Sequence, residues 1–283
     1  MTALGRVTAA EVAGARRLLP GAFAPPAAAR ARAVAAWAAF AGLVLFCLWS
    51  MDFSPWRLAA GAGRLGWLAG LMLPPSHGGR LGDYLDGILE TLGMAFLGML
   101  LATVAAVLLG FLGARNVVPQ WLVHFGLRRG LDGLRSVDAL IWALMFVNVV
   151  GLGPFAGVMA LALSDVGTLS KLFAEAIENI DAGQVDGVRA AGASAPQVVR
   201  FAILPQVSPV ILGNALYFFE SNTRSASILG VVGAGGIGFH LADRIRLNNW
   251  DEVGFIVLLI LVTVGAIDAL SKTIRMRLIR ASG

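Results

Sequence analysis

Charged side chains are scarce in this sequence of 283 residues: they make up only 14%, against about 25% in a typical soluble domain. Hydrophobic residues reach 58%, and the mean hydropathy is +0.78. Too few charges remain to cover the surface of a water-soluble fold of this size. The composition therefore excludes a disordered chain and an ordinary soluble enzyme, and it predicts a protein that crosses a membrane several times.

Residues that commonly build catalytic, metal and nucleotide sites are also rare. The single cysteine, Cys47, excludes an intrachain disulfide framework and a multi-cysteine metal site. The three histidines lie far apart, so a histidine-rich metal site is not expected. Neither Lys171 nor Lys272 belongs to the G-x-x-x-x-G-K-[ST] loop that binds nucleotide phosphates. We therefore expect a chain that is not an enzyme and that holds no cofactor or metal of its own.

Six apolar runs approach the length of about 20 residues that a helix needs to cross a bilayer. They are 33–50, 87–113, 137–150, 154–173, 207–232 and 253–270. The first run follows 32 residues, far more than the charged start of a signal peptide, so we interpret it as an uncleaved span. A further span over 54–73 would place Arg57 and Arg64 in lipid. We predict instead an interfacial helix on the outer side, capped by Ser54 and with Pro55 at its first position.

Basic residues fall mainly on one side of this layout. Sixteen of the 22 are assigned to one side: they lie before the first span, between spans two and three, at the end of span four, between spans four and five, or after the last span. The positive-inside rule then places both termini in the cytoplasm. The net charge of +5 needs no nucleic acid to explain it, because the basic residues stand in blocks between apolar runs. The expected regions are a cytoplasmic segment 1–32, a first span with outer helix and loop over 33–84, a transmembrane core 85–275 and a cytoplasmic tail 276–283.

The inner segment 174–204 is too long for a simple helix connection, which usually takes about 2–8 residues. Its sequence predicts two short helices with a break at 192–194. Ser194 can cap the second helix, with Pro196 in its first turn. These features alone leave an ordinary amphipathic surface loop open beside a functional segment.

The end of this segment resembles the EAA signature of bacterial ABC-importer permeases. That signature runs Glu-Ala-Ala, three residues, Gly, nine residues, Ile, one residue, Leu-Pro. Gly192, Leu204 and Pro205 match it, and the acidic opening position is matched by Asp186. The sequence departs from the signature at 187–188, where Gly-Val replaces both alanines, and at Ala202, which replaces the isoleucine.

Further blocks resemble one branch of that family, the phosphonate ABC-transporter permeases. They are Gly-Phe-Leu-Gly-Ala-Arg-Asn at 110–116, Val-Gly-Leu-Gly-Pro-Phe-Ala-Gly at 150–157, Lys-Leu-Phe-Ala-Glu-Ala-Ile-Glu at 171–178, Phe-Glu-Ser-Asn-Thr-Arg-Ser-Ala at 219–226 and Leu-Gly-Val-Val-Gly-Ala-Gly-Gly-Ile-Gly at 229–238. The resemblance covers about residues 85–275. It implies an all-α fold of the type I ABC-importer permeases, with about six transmembrane helices.

The resemblance also implies that the segment 174–204 forms a coupling helix, which docks into a groove of a separate ATPase subunit. A glycine at position 192 suits that role, because it permits a tight turn and a close backbone approach. The residues expected to serve coupling are Asp186, Gly187, Arg189, Ala190, Gly192, Ala193, Ser194, Leu204 and Pro205.

The fifth span contains a polar cluster, although ionisable residues inside a membrane are costly and normally face a cavity or a partner. Its members are Glu220, Ser221, Asn222, Arg224 and Ser225. Glu220 and Arg224 are spaced to pair on one helix face. Two interpretations stand equally: a structural ion pair, or a pathway lining in which Arg224 attracts an anion and Glu220 tempers its affinity. Asn148 and Asp165 are weaker candidates for the pathway.

Four glycines after the fifth span form the pattern G-x-G-x-x-G of dinucleotide sites: Gly233, Gly235, Gly236 and Gly238. That pattern binds dinucleotides only between a strand and a helix of a βαβ unit. Here it follows a membrane span, so we reject the nucleotide interpretation. A flexible turn or re-entrant segment is predicted instead, on the side where the resemblance implies that a binding protein delivers substrate.

The sequence thus predicts the permease subunit of an ATP-driven importer for phosphonates or related phosphorus oxyanions, multi-pass in the bacterial inner membrane. The expected partners are a second permease chain in a homodimer, two ATP-binding subunits that hold ATP and Mg, a soluble substrate-binding protein and the lipid bilayer. The alternative is an ATP-independent secondary transporter or channel, which would need its own coupling-ion site.

Overall fold

The computed structural model describes residue 14, residues 27–118 and residues 120–282. That part of the chain is built from helices, which confirms the all-α prediction. They are α1 (Ala27–Ser50), α2 (Pro55–Leu71), α3 (Leu81–Gly113), α4 (Trp121–Arg135), α5 (Ala139–Val150), α6 (Pro154–Glu178), α7 (Ala182–Ala190), α8 (Ala195–Val198), α9 (Leu204–Leu229), α10 (Gly236–Arg246) and α11 (Trp250–Ser282). The π-helical turns Val199–Ile203 and Gly230–Ala234 lead into and out of α9.

The first unit of the chain comprises residues 1–67. Most of the predicted segment 1–32 lies outside the described residues, and α1 begins at Ala27. Its 24 residues extend about 36 Å, enough to cross a bilayer core of about 30 Å. The first turn of α2 has the predicted cap: the Arg57 N–H donates to Ser54 Oγ over 3.4 Å, and Pro55 is the first helical residue.

The second unit, residues 68–283, contains the rest of the apolar helices. In the described chain, five continuous helical segments are long and apolar enough to cross a membrane: α1, α3, α6, the α8–α9 rod and α11. The predicted third span, 137–150, takes another form. Its helix α5 has 12 residues and is about 18 Å long, too short to cross alone.

The break before α5 has a local cause. The Oδ1 atom of Asp138 accepts the N–H of Leu140 over 2.8 Å, so Asp138 starts a new helix instead of continuing α4. The helical parts His124–Arg135 and Ala139–Val150 meet at 84° and together form the sixth, bent candidate span.

Close packing of α3 against α6 holds the second unit together. A Cβ atom added at Gly98 would lie 2.8 Å from Leu161 Cβ, and one added at Gly110 would lie 2.9 Å from Phe173 Cβ. Small residues at a helix crossing let the two backbones approach, the usual basis of helix association in membranes. At one end of these helices, Phe173 joins a buried cluster with Val185 and Val198; at the other, Tyr84 packs with Ile237 and Ile256.

Candidate functional site

The segment between α6 and α9 contains the short helix α7 and a tight turn at the predicted break. The second predicted short helix is not separate, because α8 continues through the π-helical turn into α9 as one helix of 40 residues, Ala195–Ala234. Asp181 caps α7 by accepting the Gly183 N–H over 2.9 Å. Gly192 has a φ of +84°, a conformation that L side chains rarely adopt. Ser194 begins α8: its N–H donates to Gln197 Oε1 over 2.7 Å, and its hydroxyl contacts the same oxygen at 2.9 Å.

This segment is fixed to the ends of α6 and α9. Val185 of α7 and Val198 of α8 are buried in one cluster with Ile177 and Val207. The Asp181 N–H also donates to Gln206 Oε1 over 2.9 Å, and Gln206 Nε2 donates to the Ala202 carbonyl over 2.9 Å. The start of α7 is therefore joined directly to α9 by a side-chain hydrogen bond.

The opposite face of the segment is open. Its exposed members are Asp186, Gly187, Arg189, Ala190, Gly192, Ser194, Leu204 and Pro205, while Ala193 is half-buried. Asp186 and Arg189 form an exposed pair at 3.8 Å. Ala202, which stands where the EAA signature has isoleucine, is buried. A Cβ atom at Gly187 or Gly192 would meet no described atom within 4 Å, so crowding inside the chain requires neither glycine.

The polar residues of the fifth span separate onto different faces of α9. Glu220 and Arg224 do pair, with 3.3 Å between Oε1 and Nη1. The Glu220 side chain is 10% exposed, whereas that of Arg224 is 51% exposed. Ser221 and Ser225 are half-buried beside them.

The exposed side of Arg224 lies in an otherwise apolar groove. The groove has a volume of about 550 Å³, and Arg224 is the one charged residue among the described residues that line it. Leu140 of α5, Ile228 of α9 and Leu261 of α11 form part of its walls. The groove follows an exposed stripe of α9: Tyr217, seven residues before Arg224, and Ile228, four residues after it, are exposed on the same face.

Asn222 takes a different position, turned into the helix bundle. Its Nδ2 donates to Asp165 Oδ2 over 2.6 Å, and both residues are buried. Asn148 lies apart from these residues, exposed on α5, where its Nδ2 donates to the Leu144 carbonyl over 2.7 Å. The structure therefore brings Glu220 and Arg224 together, and separately Asn222 and Asp165, and it places Asn148 with neither pair.

The glycine-rich segment after α9 is a close-packed turn. Gly233, Gly235 and Gly236 have φ values of +99°, +83° and +72°. A Cβ atom on Gly238 would collide with the carbonyl oxygen of Ser227, and Gly233, Gly236 and Gly238 are all buried. The turn brings α10 back against α9. The re-entrant segment on the outer side stays a prediction.

The first amides of α10 already have partners from α3. The Gly236 N–H donates to Glu90 Oε2 over 3.0 Å, and the Ile237 N–H donates to Thr91 Oγ1 over 2.9 Å. A dinucleotide phosphate would need these amides. The segment is also preceded by helix and not by a strand, in keeping with the rejected nucleotide interpretation.

A buried polar network near the start of α3 was not anticipated from the sequence. The Tyr84 hydroxyl donates to Glu252 Oε2, and Arg244 Nη1 lies 3.8 Å from the same oxygen. Asn249 Nδ2 donates to Glu252 Oε1 over 3.3 Å. The network joins α3, α10 and α11. Tyr84 and Glu252 are 168 positions apart, so the sequence gives no sign that they meet. The available signal was the acidic residue Glu252 at the start of the apolar helix α11.

Comparison with known proteins defines the class. A sequence profile of the family described as "Binding-protein-dependent transport system inner membrane component" matches residues 65–280. The chain belongs to this family: it is a multi-pass permease component of an ABC importer in the bacterial inner membrane. The ATP-independent transporter or channel is therefore not favoured.

Two relatives are more specific. The chain is 40% identical to the phosphite transport system permease protein PtxC of Stutzerimonas stutzeri over 83% of this chain and 85% of that protein. It is 39% identical to the phosphate-import permease protein PhnE of Mycolicibacterium smegmatis over 74% of this chain and 39% of that protein. These relatives confirm the resemblance to the phosphonate permease branch.

Among solved structures, the permease fold recurs in the inward-facing MetNI methionine ABC transporter. The TM-score is 0.63 at 20% identity, with 72% of this chain and 99% of that chain covered. At this identity the likeness concerns the fold alone.

Proposed function

We propose that this permease imports phosphonates or related phosphorus oxyanions. Support comes from the relatives that are permeases for phosphite and phosphate, together with the one arginine on the exposed, apolar stripe of α9. A homodimer with two ATPase subunits and a soluble binding protein completes the proposed importer, because twofold symmetry in the permease matches a pair of ATPases.

We propose the α7–α8 segment as the ATPase contact. An exposed face on a firmly anchored segment suits a coupling element, since the Asp181–Gln206 hydrogen bond and the burial of Val185 and Val198 keep the helices from moving alone. This geometry is the observation that carries the coupling role. An ATPase contact here would put this end of the second unit in the cytoplasm, the side to which the basic residues assign the segment 174–204.

The stripe around Arg224 is the proposed substrate route. A guanidinium facing lipid is strongly unfavourable, so this side of α9 must face water or another protein chain. Across a twofold axis, two copies of the stripe would enclose a pathway with one arginine from each chain. Glu220, 3.3 Å away, offsets part of each charge, so that an anion is attracted without being held.

The glycine turn and α10 are proposed to lie at the opposite mouth of the route, where the binding protein delivers its anion. Asp243 and Arg246 line an open cavity of about 370 Å³ there with Gly233 and Phe239. The close packing of the turn fixes this rim to the end of α9.

Gly187→Trp tests the coupling role with little effect on folding, because the position is helical and open. We expect the variant to reach the membrane as the wild type does, but to lose most ATPase subunit on co-purification and to lose substrate-stimulated ATP hydrolysis. Gly265→Trp, at an open position on α11, is the matched control and should keep both. If Gly187→Trp co-purifies with the ATPase subunit and hydrolyses ATP as the wild type does, α7 does not contact the ATPase and the proposal is wrong at this helix. Gly192→Trp is a second variant, but its positive φ adds backbone strain.

Substrate class is tested with the cognate binding protein. Phosphonate, phosphite and phosphate should each be offered in a binding assay and then in uptake by membranes that contain the whole importer. Tight binding of at least one phosphorus oxyanion, with ATP-dependent uptake of that anion, is expected. Uptake restricted to amino acids would contradict the proposed substrate class.

A further inference from the structure

An arginine-lined cavity lies at the coupling end of the bundle, on α4 and the loop before it. Its volume is about 490 Å³, and its lining residues are Arg115, Val118, Trp121, His124, Phe125, Arg128 and Arg129. It lies at this end because the Arg115 N–H donates to Glu178 Oε1, at the end of α6, over 2.9 Å. The proposed transport route does not use this cavity.

Positive charge is in excess around the cavity. Glu178 Oε1 lies 3.4 Å from Arg128 Nη2, and Asp132 Oδ2 lies 3.8 Å from Arg129 Nη1. No carboxylate among the described residues is within 4.0 Å of the Arg115 guanidinium. Three arginines thus share two carboxylates, and the Arg129 side chain is 69% exposed. An anion entering the cavity would be attracted by an unbalanced charge.

His124 fixes the direction of Arg115. The Arg115 Nε–H donates to His124 Nε2 over 3.2 Å, so that nitrogen accepts and the ring proton lies on Nδ1. His124 is buried, and its Nδ1 has no hydrogen-bond partner among the described residues. The Nε–H of Arg115 is therefore committed to His124, and no carboxylate of the described residues neutralises its guanidinium.

The other wall of the cavity is apolar and exposed. Trp121 is 71% exposed and stacks on Phe125, with ring centroids 5.4 Å apart. The Arg129 guanidinium lies 5.6 Å from the centre of the Phe125 ring. Leu122, next to Trp121, is 74% exposed. Exposed aromatic and aliphatic side chains beside arginines are typical of a membrane surface, where rings lie at the level of the lipid headgroups.

We propose that this cavity binds a phosphate-type oxyanion, and that the anion is the headgroup phosphate of an acidic phospholipid. Arg115, Arg128 and Arg129 would hold the phosphate, and the acyl chains would lie over Trp121 and Phe125. A free phosphate ion has no apolar part that could contact the apolar wall, whereas the acyl chains of a lipid can. The lipid is favoured for this reason. The site belongs to the cytoplasmic leaflet, a placement that rests on the proposed ATPase contact at this end.

Native mass spectrometry of the full-length chain, purified with its ATPase subunits and partly delipidated, tests the site. The complex is mixed with phosphatidylglycerol or phosphatidylcholine in detergent, and retained lipid is counted. Wild type should retain phosphatidylglycerol preferentially. Arg129→Gln, at an exposed position, should lower retention several-fold, and Arg115→Gln with Arg129→Gln should abolish the preference. Arg277→Gln, another exposed arginine predicted to lie on the cytoplasmic side, is the matched control.

Equal retention of phosphatidylglycerol in the wild type and both arginine variants would overturn the proposal. Displacement of the lipid by millimolar inorganic phosphate would also overturn it, in favour of a free-phosphate site. These measurements contain no transport step. A failure here leaves the co-purification test of Gly187→Trp unaffected, and loss of the ATPase contact would not remove lipid retention.

Discussion

The side-chain amide of Asn222 donates a 2.6 Å hydrogen bond to Oδ2 of Asp165 and so joins α9 to α6 inside the bundle. Asn222→Ala would leave the buried carboxyl group of Asp165 without this partner, which typically costs roughly 1–3 kcal/mol of folding free energy. We expect a lower midpoint of thermal unfolding in detergent. Asp165→Asn retains an acceptor and should unfold within a few degrees of the wild type. If both variants unfold at the same midpoint temperature as the wild type, the hydrogen bond does not contribute to the stability of the bundle.

Uptake measurements can distinguish the two interpretations of the Glu220–Arg224 pair, a structural ion pair or a lining of the substrate pathway. If Arg224 attracts the transported anion, Arg224→Gln should reduce uptake roughly tenfold, equivalent to about 1.4 kcal/mol, while membrane assembly continues. The double variant Glu220→Gln with Arg224→Gln removes the ion pair without leaving a lone carboxylate. Restored uptake in the double variant would identify a structural pair; continued loss supports the pathway.

The turn before α10 should reject even a methyl group. Gly238→Ala places its Cβ against the Ser227 carbonyl oxygen, which is backbone and cannot move aside. Overpacking of this kind commonly costs about 1–3 kcal/mol, so we expect a clear loss of folded permease. Fluorescence-detected size-exclusion chromatography measures that loss. Gly265→Ala, in open space on α11, is the control and should keep the wild-type yield.

The Tyr84–Glu252–Arg244 network predicts that a single variant at Glu252 is much less stable than a double variant that also replaces Arg244. Glu252→Leu leaves the buried Arg244 with Asp243 as its remaining carboxylate neighbour, and breaking a buried pair typically costs about 3–5 kcal/mol. Adding Arg244→Met removes the stranded charge and should recover much of the loss. Thermal unfolding of the two variants and the wild type is the measurement. Equal destabilisation in the single and double variants would show that packing, and not charge, dominates here.

Much of the architecture could be predicted because a membrane imposes simple rules. Apolar runs located α1, α3, α6, α9 and α11, since each had to be long enough to cross the bilayer. The turn of the inner segment was predicted because caps act locally: Ser194, three residues before Gln197, begins α8, and a glycine turns the chain at 192. The continuation of α8 into α9 was not predicted.

Long-range pairings were beyond prediction. Asp165 and Asn222 are 57 positions apart, and nothing in either neighbourhood specifies that they meet. The third span was predicted too simply because apolar length was considered without the capping strength of Asp138, which breaks the helix and turns it by 84°. The polar cluster of α9 was treated as one unit, although the pitch of the helix directs Arg224 and Asn222 to different sides.

The contact of Glu90 and Thr91 with the start of α10 has a consequence for selectivity. A free helix N-terminus would bind anions through backbone amides, which every substitution except proline leaves in place. Here two of those amides are committed within the chain. On the proposed route, discrimination among anions would then depend on individual side chains, and we expect single substitutions to change it.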